Sequence, residues 1–466
     1  MKTMTALRRL ARWLLLGVLA TFVSATHGQT PLAWEQTKYF QYNIENVAVV
    51  QDPPGSGSWT VKVIFSVSDP TNTQTDFWDI KTALPFKGAS VTADIAWDSK
   101  EFTNTGSGDD PTLAPIGTTN LGSGAALPVQ VRNLQLPTTG AKPCTSTEEC
   151  PHIRAFTGRY FVVKTITPVP FTAAVRTGRV AIEGRPVCNG LPNCPPPVVT
   201  TTTTYANIPV KSATADFAFT ARDPKAAMIA NPRRQIVDIA KCKGCHDDKQ
   251  HGDTVVPRLS LHGANRNENL DLCVVCHNPN QTDVNYRYLS TTDARIGAAE
   301  TPIDFKTMVH SIHAGGFRKA PYVVIGRNSS VNDYSEVRFP AELRKSCLKC
   351  HVEVNGKGSF ELPLKTTVLG TTIKTQSTYA VALGALRTID VDPRNDLKIT
   401  PTAAACSSCH DNSEVRSHMI KTGGASFGTT QDKIGTTVKE RCASCHGPGK
   451  DKDVRKVHEL SSSSSD

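Results

Sequence analysis

The stretch Cys242-Lys243-Gly244-Cys245-His246 decides the fold of the C-terminal half of the chain, because its pattern, Cys-x-x-Cys-His, occurs there five times. The other copies are Cys273–His277, Cys347–His351, Cys406–His410 and Cys442–His446. Their first cysteines are 31, 74, 59 and 36 residues apart along the chain. A solenoid keeps a fixed period, so this irregular spacing predicts a globular domain that contains five similar sites.

Each motif is typical of a site where haem c is attached to a protein. Two cysteines three positions apart lie on one face of a helical turn, where both can form thioethers with the vinyl groups of one haem. The histidine that follows can ligate the iron as its proximal ligand. The sequence therefore predicts five covalently bound haems c. The predicted attachment residues are Cys242, Cys245, Cys273, Cys276, Cys347, Cys350, Cys406, Cys409, Cys442 and Cys445, and the predicted proximal ligands are His246, His277, His351, His410 and His446.

Zinc sites and thioredoxin-like redox sites also use Cys-x-x-Cys pairs. Nothing in zinc coordination requires a histidine directly after each pair. A thioredoxin-like site needs one motif between a strand and a helix, not five copies. Five pairs that are all followed by histidine therefore favour haem over both alternatives.

The second axial ligand of each iron bears on function, because a second histidine favours electron transfer and an open position favours catalysis. Five proximal histidines and His27 near the N-terminus leave seven of the 13 histidines. His251 lies in a polar run and His152 in a strand-rich region, so we expect the distal ligands elsewhere. The predicted distal ligands are His262, His310, His313, His418 and His458. His310 and His313 share one face of a helix and could serve two neighbouring haems, but spacing does not say which haem each histidine serves.

The chain changes character near residue 235. Residues 29–235 contain short runs rich in Val, Ile, Thr and aromatic residues, separated by Gly, Pro, Asn and Asp, which is typical of strands in a sandwich or barrel. Four cysteines of this half lie outside the haem pattern: Cys144, Cys150, Cys188 and Cys194. In an oxidising compartment they are expected to form two disulfides. Three pairings are possible, and we favour the local pairs Cys144–Cys150 and Cys188–Cys194.

Residues 1–28 are typical of a secretory signal peptide, with a basic start, an apolar run over Trp13–Val23 and small residues suited to cleavage. The apolar run is shorter than the roughly 20 residues that span a bilayer. We therefore expect an exported protein that is periplasmic, outer-membrane associated or extracellular. No later stretch predicts a transmembrane segment, and the Ser-rich residues 461–466 are expected to form a disordered tail.

Charge gives little support for a nucleic-acid partner. The 466 residues include 52 Lys and Arg and 42 Asp and Glu, a formal charge of +10, but four of the positive residues lie in the first 12 positions and the rest form no basic block. Together with the motifs, the strand pattern predicts an α+β multidomain protein. Residues 29–235 are expected to form an antiparallel β barrel or sandwich, and residues 236–460 a loop-rich, helical pentahaem domain.

Three stretches of the sequence resemble the OmcA/MtrC type of outer-membrane multihaem cytochrome: Leu261–Arg266, Val309–Gly315 and Asp453–His458. The resemblance implies distal ligands at His262, His310, His313 and His458 and, with a looser match, at His418. It also implies redox partners such as other cytochromes or a porin–cytochrome complex. Members of the family carry ten haems in two halves, each a β domain with five haems, and this sequence contains one such half.

We therefore expect an exported pentahaem c-type cytochrome that carries electrons through a chain of bis-histidine haems, in respiratory or extracellular electron transfer. Five porphyrins in one domain of this size must lie close together and form much of its core. The alternative is a terminal reductase of metals, flavins or inorganic oxyanions that passes electrons to extracellular acceptors. Reduction of an oxyanion at an iron would need an open axial position. No residue is predicted to be catalytic.

Overall fold

The structure is a computed structural model that describes residues 32–51, 59–72, 77–97, 107–109, 127–132, 134–135, 153–156, 159–165, 176–220, 225–252, 254–287, 293–378, 390 and 394–460. The predicted signal peptide, the Cys144–Cys150 pair, His152 and the tail lie outside the described residues. All ten motif cysteines and the ten predicted histidine ligands lie inside them.

Strands build the N-terminal half. They are β1 (Gln41–Gln51), β2 (Trp59–Ser68), β3 (Ser90–Trp97), β4 (Ser107–Asp109), β5 (Leu127–Val131), β6 (Ile153–Phe156), β7 (Arg159–Thr165), β8 (Arg176–Arg185), β9 (Val198–Val199), β10 (Thr203–Thr204), β11 (Ala213–Phe219) and β12 (Ala227–Ile229). Four of them form a first sheet in the order β1–β2–β7–β6, and six form a second sheet in the order β12–β11–β8–β3–β5–β4. The short strands β9 and β10 pair as a separate hairpin.

The two sheets pack face to face as a sandwich. Successive side chains of a strand point to opposite faces, so the Val- and Phe-rich strands present one apolar face to the core. Val61, Val63 and Phe65 of β2 share a buried core with Val91 of β3 and Val180 of β8. Among the described residues the sheets remain two layers and do not close into a barrel. Of the two architectures predicted for this half, the structure therefore has the sandwich.

One pair of strands departs from the predicted antiparallel arrangement. β4 and β5 pair in parallel, whereas their neighbours β3, β8 and β11 pair antiparallel. A long stretch of chain, residues 110–126, connects β4 to β5. Parallel neighbours need such a crossover, while antiparallel neighbours need only a short turn, so the length of the connection allows this direction.

A disulfide joins Cys188 to Cys194 after β8, which confirms one of the two predicted local pairs. The Cα atoms of the two cysteines are 5.5 Å apart. Cys188 is buried and belongs to the core of the sandwich. The bridge therefore ties the Pro-rich loop that contains Cys194 to that core.

Short helices and hairpins, joined by loops, build the C-terminal half. The helices are α1 (Ile239–Lys243), α2 (Leu270–Cys276), α3 (Ala294–Gly297), α4 (Phe305–His313), α5 (Pro401–Ser407), α6 (Ser413–Lys421), α7 (Ala443–His446) and α8 (Val454–Val457). The strands are β13 (Lys249–His251), β14 (Thr254–Val256), β15 (Ser260–Leu261), β16 (Arg266–Asn267), β17 (Val323–Ile325), β18 (Val331–Asp333), β19 (Glu353–Val354), β20 (Lys357–Gly358), β21 (Thr371–Lys374), β22 (Leu397–Ile399) and β23 (Phe427–Thr429). The longest described helices, α4 and α6, have nine residues, so this half is more loop-rich than helical.

Apolar packing in the C-terminal half is limited to small clusters. One buried cluster consists of Ile399, Ala403, Ala404, Met419 and Ala425. Another joins Val274 and Val275 of α2 to Ala96 of β3 in the sandwich. A cavity of about 2380 Å³ extends through this half and along its boundary with the sandwich. Open space therefore occupies much of the position where a core would lie.

The second sheet meets the C-terminal half with its outer face. Val180 and Ile182 of β8 point into the sandwich core, so Arg179 and Glu183, which alternate with them, lie on the opposite face. These two charged residues are nevertheless buried, with 1% and 4% of their surface exposed. Arg179 forms an ion pair with Asp271 of α2 at 3.1 Å. The C-terminal half therefore covers this face of the sheet.

Candidate functional site

All five Cys-x-x-Cys-His motifs adopt the same backbone turn. In each motif the amide N–H of the histidine donates to the carbonyl oxygen of the first cysteine at 2.8 or 2.9 Å. A bond over four residues closes one helical turn, and it places both cysteines on one face. The neighbouring sequence starts these turns. Asn269 caps α2 by accepting from the amides of Asp271 and Leu272, and Pro401 occupies the first turn of α5.

Each motif histidine faces a second histidine from elsewhere in the chain. The pairs, with the distances between their ring centres, are His246 and His313 (6.2 Å), His277 and His262 (6.0 Å), His351 and His310 (5.9 Å), His410 and His458 (6.1 Å), and His446 and His418 (6.2 Å). Every predicted proximal ligand thus lies beside one predicted distal ligand, and the five pairs share no residue. Spacing along the sequence could not assign these partners.

The separation within each pair suits two ligands on one metal ion. A bond between a metal ion and an imidazole nitrogen is about 2 Å long, so two rings that ligate one ion from opposite sides have centres about 6 Å apart. A haem iron offers two such positions, one on each side of the porphyrin. The pairs therefore fit the axial ligands of haem.

Hydrogen bonds at Nδ1 orient most of the paired imidazoles. The contacts are His246 to Pro257 O (2.9 Å), His277 to Ile303 O (3.0 Å), His313 to Val309 O (2.8 Å), His351 to Ser359 Oγ (3.0 Å), His446 to Lys452 O (2.9 Å) and His458 to Arg344 O (3.1 Å). A protonated Nδ1 that donates to an oxygen leaves Nε2 as the nitrogen with a lone pair. Such a contact fixes both the tautomer and the ring orientation of a metal ligand.

Helix α4 contributes to two sites at once. Its residues His310 and His313 lie three positions apart, and they face the histidines of the third and the first motif respectively. Gly315, which follows the helix, lies so close to the backbone of Tyr334 that a Cβ atom would collide with the Tyr334 carbonyl oxygen. This close approach holds the end of α4, and with it the two ligands, in one position.

Burial keeps several of these imidazoles neutral. It lowers the pKa of His277, His310 and His351 from 6.5 to about 4. A neutral imidazole is the form that binds a metal ion. The Nδ1 atom of His310 is buried without a hydrogen-bond partner among the described residues. An imidazole buried in this way is costly unless another bond, such as one from its second nitrogen to iron, holds it.

Electrostatic interactions between their thiols place four of the motifs near one another. The neighbouring thiols are Cys242 and Cys350 of motifs one and three, Cys347 and Cys409 of motifs three and four, and Cys406 and Cys442 of motifs four and five. A hydrogen bond from the Cys242 thiol lowers the pKa of Cys350 to about 7. Burial and, after it, the neighbouring Cys442 thiol raise the pKa of Cys406 to about 12. Four of the five motifs therefore follow one another in space in the order one, three, four and five.

The second motif lies against the sandwich. Arg266 of β16 makes a two-pronged ion pair with Glu183 of β8, with its Nη2 3.0 Å from Oε1. Its guanidinium opposes the rise in pKa that burial causes at Cys273 and Cys276. Burial and, after it, Glu183 raise the pKa of Asp94 of β3 to about 7. Asp94 and Glu183 were missed in the sequence because both are polar positions on strands remote from any motif.

His251 lies apart from the five pairs. It ends β13, and its Nε2 is 2.8 Å from the Asp247 carboxylate. The nitrogen that would bind a metal ion is therefore occupied by a neighbour in the same hairpin. This arrangement agrees with the expectation that the distal ligands lie elsewhere.

The cavity has a lining that fits several haems. Cysteines and histidines of the third, fourth and fifth motifs line it, together with both histidines of α4. Its volume of about 2380 Å³ exceeds the roughly 300–1,000 Å³ of an ordinary ligand pocket. Apolar residues such as Phe305 and Phe339 suit a porphyrin face, and basic residues such as Arg344 and Arg441 suit its propionates.

Comparison with known proteins identifies the C-terminal half. No curated protein matches the chain. Among the described residues, no helix is long and apolar enough to cross a bilayer. Residues 234–459 match the family model described as outer membrane cytochrome MtrC/MtrF-like, domains II/IV. That range includes all five motifs and all five facing histidines, and the match confirms the resemblance seen in the sequence. Residues 234–459 of the chain are therefore similar to domains II/IV of the MtrC/MtrF-like outer membrane cytochromes.

Proposed function

We propose that residues 236–460 bind five haems c, each attached through one motif and ligated by two histidines. The observation that carries the proposal is the set of five histidine pairs with ring centres 5.9–6.2 Å apart. The proposed proximal and distal ligands are His246 and His313, His277 and His262, His351 and His310, His410 and His458, and His446 and His418. The similarity of residues 234–459 to outer membrane cytochromes supports covalent haem and electron transfer.

The two histidines of a pair would ligate a haem iron in its oxidised and in its reduced state. A haem iron supplies one-electron exchange when it is bound. The two neutral imidazoles of a pair would hold both axial positions of a bound haem and would thereby keep water and small anions off the metal. Their Nδ1 contacts to fixed oxygen atoms hold the rings in place. An electron can therefore enter or leave with little movement of the protein.

We infer the path of the electrons from the contacts between motifs. The cysteines connect motifs one, three, four and five in that order. The second motif joins them at the start of α4, where the amide of Phe305 donates to the carbonyl oxygen of His277 at 3.0 Å. Helix α4 then extends from there to the ligands of the third and first motifs. Five sites thus form one connected set, from the sandwich to the C-terminal end.

The second and the fifth site lie at the two ends of this set. His262 of the second site and His418 and Cys445 of the fifth are exposed, as is His410 of the fourth site. We propose that these ends exchange electrons with other cytochromes or with a porin–cytochrome complex, and with extracellular acceptors. The protein would then be exported and act in respiratory or extracellular electron transfer.

A terminal reductase is the alternative function. Metals or flavins could take an electron at the edge of a haem without binding the iron, so this alternative is compatible with two histidine ligands at each site. Reduction of an inorganic oxyanion on an iron would need an open axial position. Each of the five motif histidines instead has a facing partner, so the carrier is the better supported function.

Intact mass and electron paramagnetic resonance of the full protein test the proposal. We expect the mass of five attached haems and only low-spin ferric signals. Cys445→Ser should remove one of the two thioethers of the fifth haem and leave the other four attachments intact. A smaller number of haems in the unmodified protein would contradict the count, and a high-spin ferric signal would contradict two-histidine ligation.

A further inference from the structure

An acidic residue, Asp94, lies on the outer face of the second sheet, on the side of the second haem site. Asp94 and Ala96 of β3 alternate with Ile95, which points into the sandwich core. Ala96 packs on Val274 and Val275 of α2, the helix that contains both cysteines of the second motif. Asp94, two positions away on the same face of the strand, therefore lies toward the same helix.

Asp94 is buried with an incomplete set of hydrogen bonds. Only 1% of its surface is exposed. Its Oδ1 accepts a hydrogen bond from Gln130 Nε2 at 2.7 Å, while its Oδ2 is buried without a hydrogen-bond partner among the described residues. A buried carboxylate oxygen without a donor is costly, and protonation removes much of that cost. Burial is accordingly the largest cause that raises the pKa of Asp94 to about 7.

Three charged groups face Asp94. Glu183 of β8 raises its pKa, and Arg266 of β16 and Arg132, just after β5, lower it. Glu183 already pairs with Arg266 through two contacts, so that pair adds little net charge. Arg132 is exposed and donates to Gln130 Oε1. The side chains of Gln130 and Arg132 therefore connect the buried carboxyl group to the surface.

The same cluster lies close to the haem attachment. Asp94 and Glu183 both add to the rise in pKa that burial causes at Cys276, while Arg266 opposes it. A charge change at an iron held by this motif would act on the cluster through a buried region, where water screens little. Of the two carboxyl groups, Glu183 is held ionised by its pair with Arg266, whereas Asp94 has no ion pair in the part of the chain that the structure describes.

We propose that Asp94 binds and releases a proton as the haem of the second site is reduced and oxidised. This proposal rests on the proposed function, because it needs a haem attached at Cys273 and Cys276. Asp94 takes one proton from water for each electron that a redox partner protein delivers to that iron. It returns the proton to water when the electron leaves, so the net charge of the site stays constant. The second site then couples electron transfer to proton transfer.

Redox titration of the full five-haem protein at several pH values tests this coupling. One proton per electron lowers a midpoint potential by about 59 mV per pH unit, the equivalent of a tenfold change for one electron. We expect that slope near neutral pH for the second-site haem. His262→Met identifies its component, because a methionine ligand raises the potential of that haem. A midpoint that is constant between about pH 5 and pH 9 would overturn the proposal.

Asp94→Asn removes the proton acceptor with almost no change in volume. We expect the midpoint potential of the second-site haem to lose its dependence on pH, while the midpoint potentials of the other four haems keep theirs. Asp293→Asn is the control, because it makes the same change at a carboxylate that is 27% exposed and paired with the exposed Arg295. The control should keep the slope. An unchanged slope in Asp94→Asn would assign the proton to haem propionates and overturn the role of Asp94.

Infrared difference spectra of the unmodified protein give a readout that depends on no variant. Reduction at neutral pH should produce the carbonyl band of a protonated carboxylic acid, which shifts in deuterated water. The absence of such a band would also overturn the proposal. Mass analysis of the second-motif peptide separates the two claims. If the peptide has no haem, the proposed function is contradicted. If it has a haem but the protein shows neither the pH dependence of the midpoint potential nor the infrared band, only the proton coupling is contradicted.

Discussion

The two nitrogen atoms of several predicted histidine ligands have different surroundings. In His246, His313 and His458, for example, Nδ1 contacts a backbone carbonyl oxygen, which leaves Nε2 for a metal ion. His251 has the opposite arrangement, since its Nε2 contacts Asp247. At the scale of one residue, the hydrogen bond that a histidine makes is therefore as informative as its position in the sequence.

The contrast between His313 and His251 gives a matched pair of variants. We expect His313→Ala to open one axial position at the first site and to give one high-spin ferric signal. The same change at His251 should leave every haem low-spin, because its ring faces a carboxylate. Electron paramagnetic resonance of both oxidised variants measures the difference. A high-spin signal in His251→Ala, with none in His313→Ala, would contradict the assignment of the first pair.

The attachment motifs and the candidate ligands could be named from the sequence, but the pairing of the histidines could not. Cys-x-x-Cys-His spacing is local chemistry, so it predicts an attachment turn wherever it occurs. The partner of His246 is His313, 67 positions away, and only the folded chain brings the two rings together. The burial of the Asp94 carboxyl group could not be predicted for a similar reason, because the pattern of a strand does not indicate which residues cover the outer face of its sheet.

At the scale of an element, the position of α4 depends on Gly315, which lies just after the end of the helix. Because Gly315 has no side chain, the carbonyl oxygen of Tyr334 can approach it closely. This contact holds the C-terminal end of α4, just before the segment Gly316–Arg318. His310 and His313 occupy the last turn of the helix. Any shift of that turn must therefore move the ligands of the first and the third site together.

Gly315→Ala tests this dependence. We expect a lower thermal unfolding temperature and simultaneous changes in the spectra of two haems, because the added methyl group meets backbone that cannot move aside alone. Gly316→Ala is the control, since its methyl group would meet only the guanidinium end of the exposed Arg338 side chain. Equal effects of the two changes, measured by calorimetry and absorption spectroscopy, would argue against a special role for Gly315.

The disulfide is an element that should stabilise the sandwich without affecting the haem sites. Replacing Cys188 and Cys194 together by serine should lower the free energy of unfolding of the sandwich by about 2 kcal/mol. Denaturant unfolding followed by tryptophan fluorescence measures this, because every tryptophan after residue 28 lies in the first hundred residues. The haem absorption spectrum should stay the same. A changed haem spectrum would show that the bridge supports more than the sandwich.

At the scale of the whole molecule, the two halves are joined by buried charge rather than by a large apolar surface. Arg179 is fully buried, and it binds Asp216 of the sandwich at 2.8 Å and Asp271 of the C-terminal half at 3.1 Å. Charges removed from water in this way are stable only while their partners are present. One guanidinium group thus binds a carboxylate of each half, beside the Arg266–Glu183 ion pair that also joins them.

Arg179→Met should therefore be strongly destabilising. It leaves the carboxylate of Asp216 buried without its main partner, which costs about 3–5 kcal/mol. Adding Asp216→Leu should recover much of this loss, because a buried ion pair can be replaced by apolar residues of similar size. Arg295→Ala, which removes an exposed pair with Asp293, should change little. Chemical denaturation of the variants makes the comparison, and a mild effect of Arg179→Met would show that other contacts join the halves.

The fold of the whole molecule followed from the sequence only in part. The Val- and Thr-rich runs predicted the strands, because alternation of apolar residues is a local property. They did not predict that β4 and β5 pair in parallel, because alternation within a strand carries no information on the direction of its neighbour. The C-terminal half has short helices because its chain must return to a new attachment turn at each motif, and composition alone overstated its helical character.

The unequal cores of the two halves have a consequence for biogenesis. The sandwich has an extensive apolar core, so its chain can fold soon after export. The C-terminal half has small apolar clusters around a large cavity, and a chain that buries so little apolar surface gains little stability before its haems are attached. We expect maturation to proceed from the N-terminus, with an immature C-terminal half that proteases degrade unless the haem-attachment machinery reaches it first.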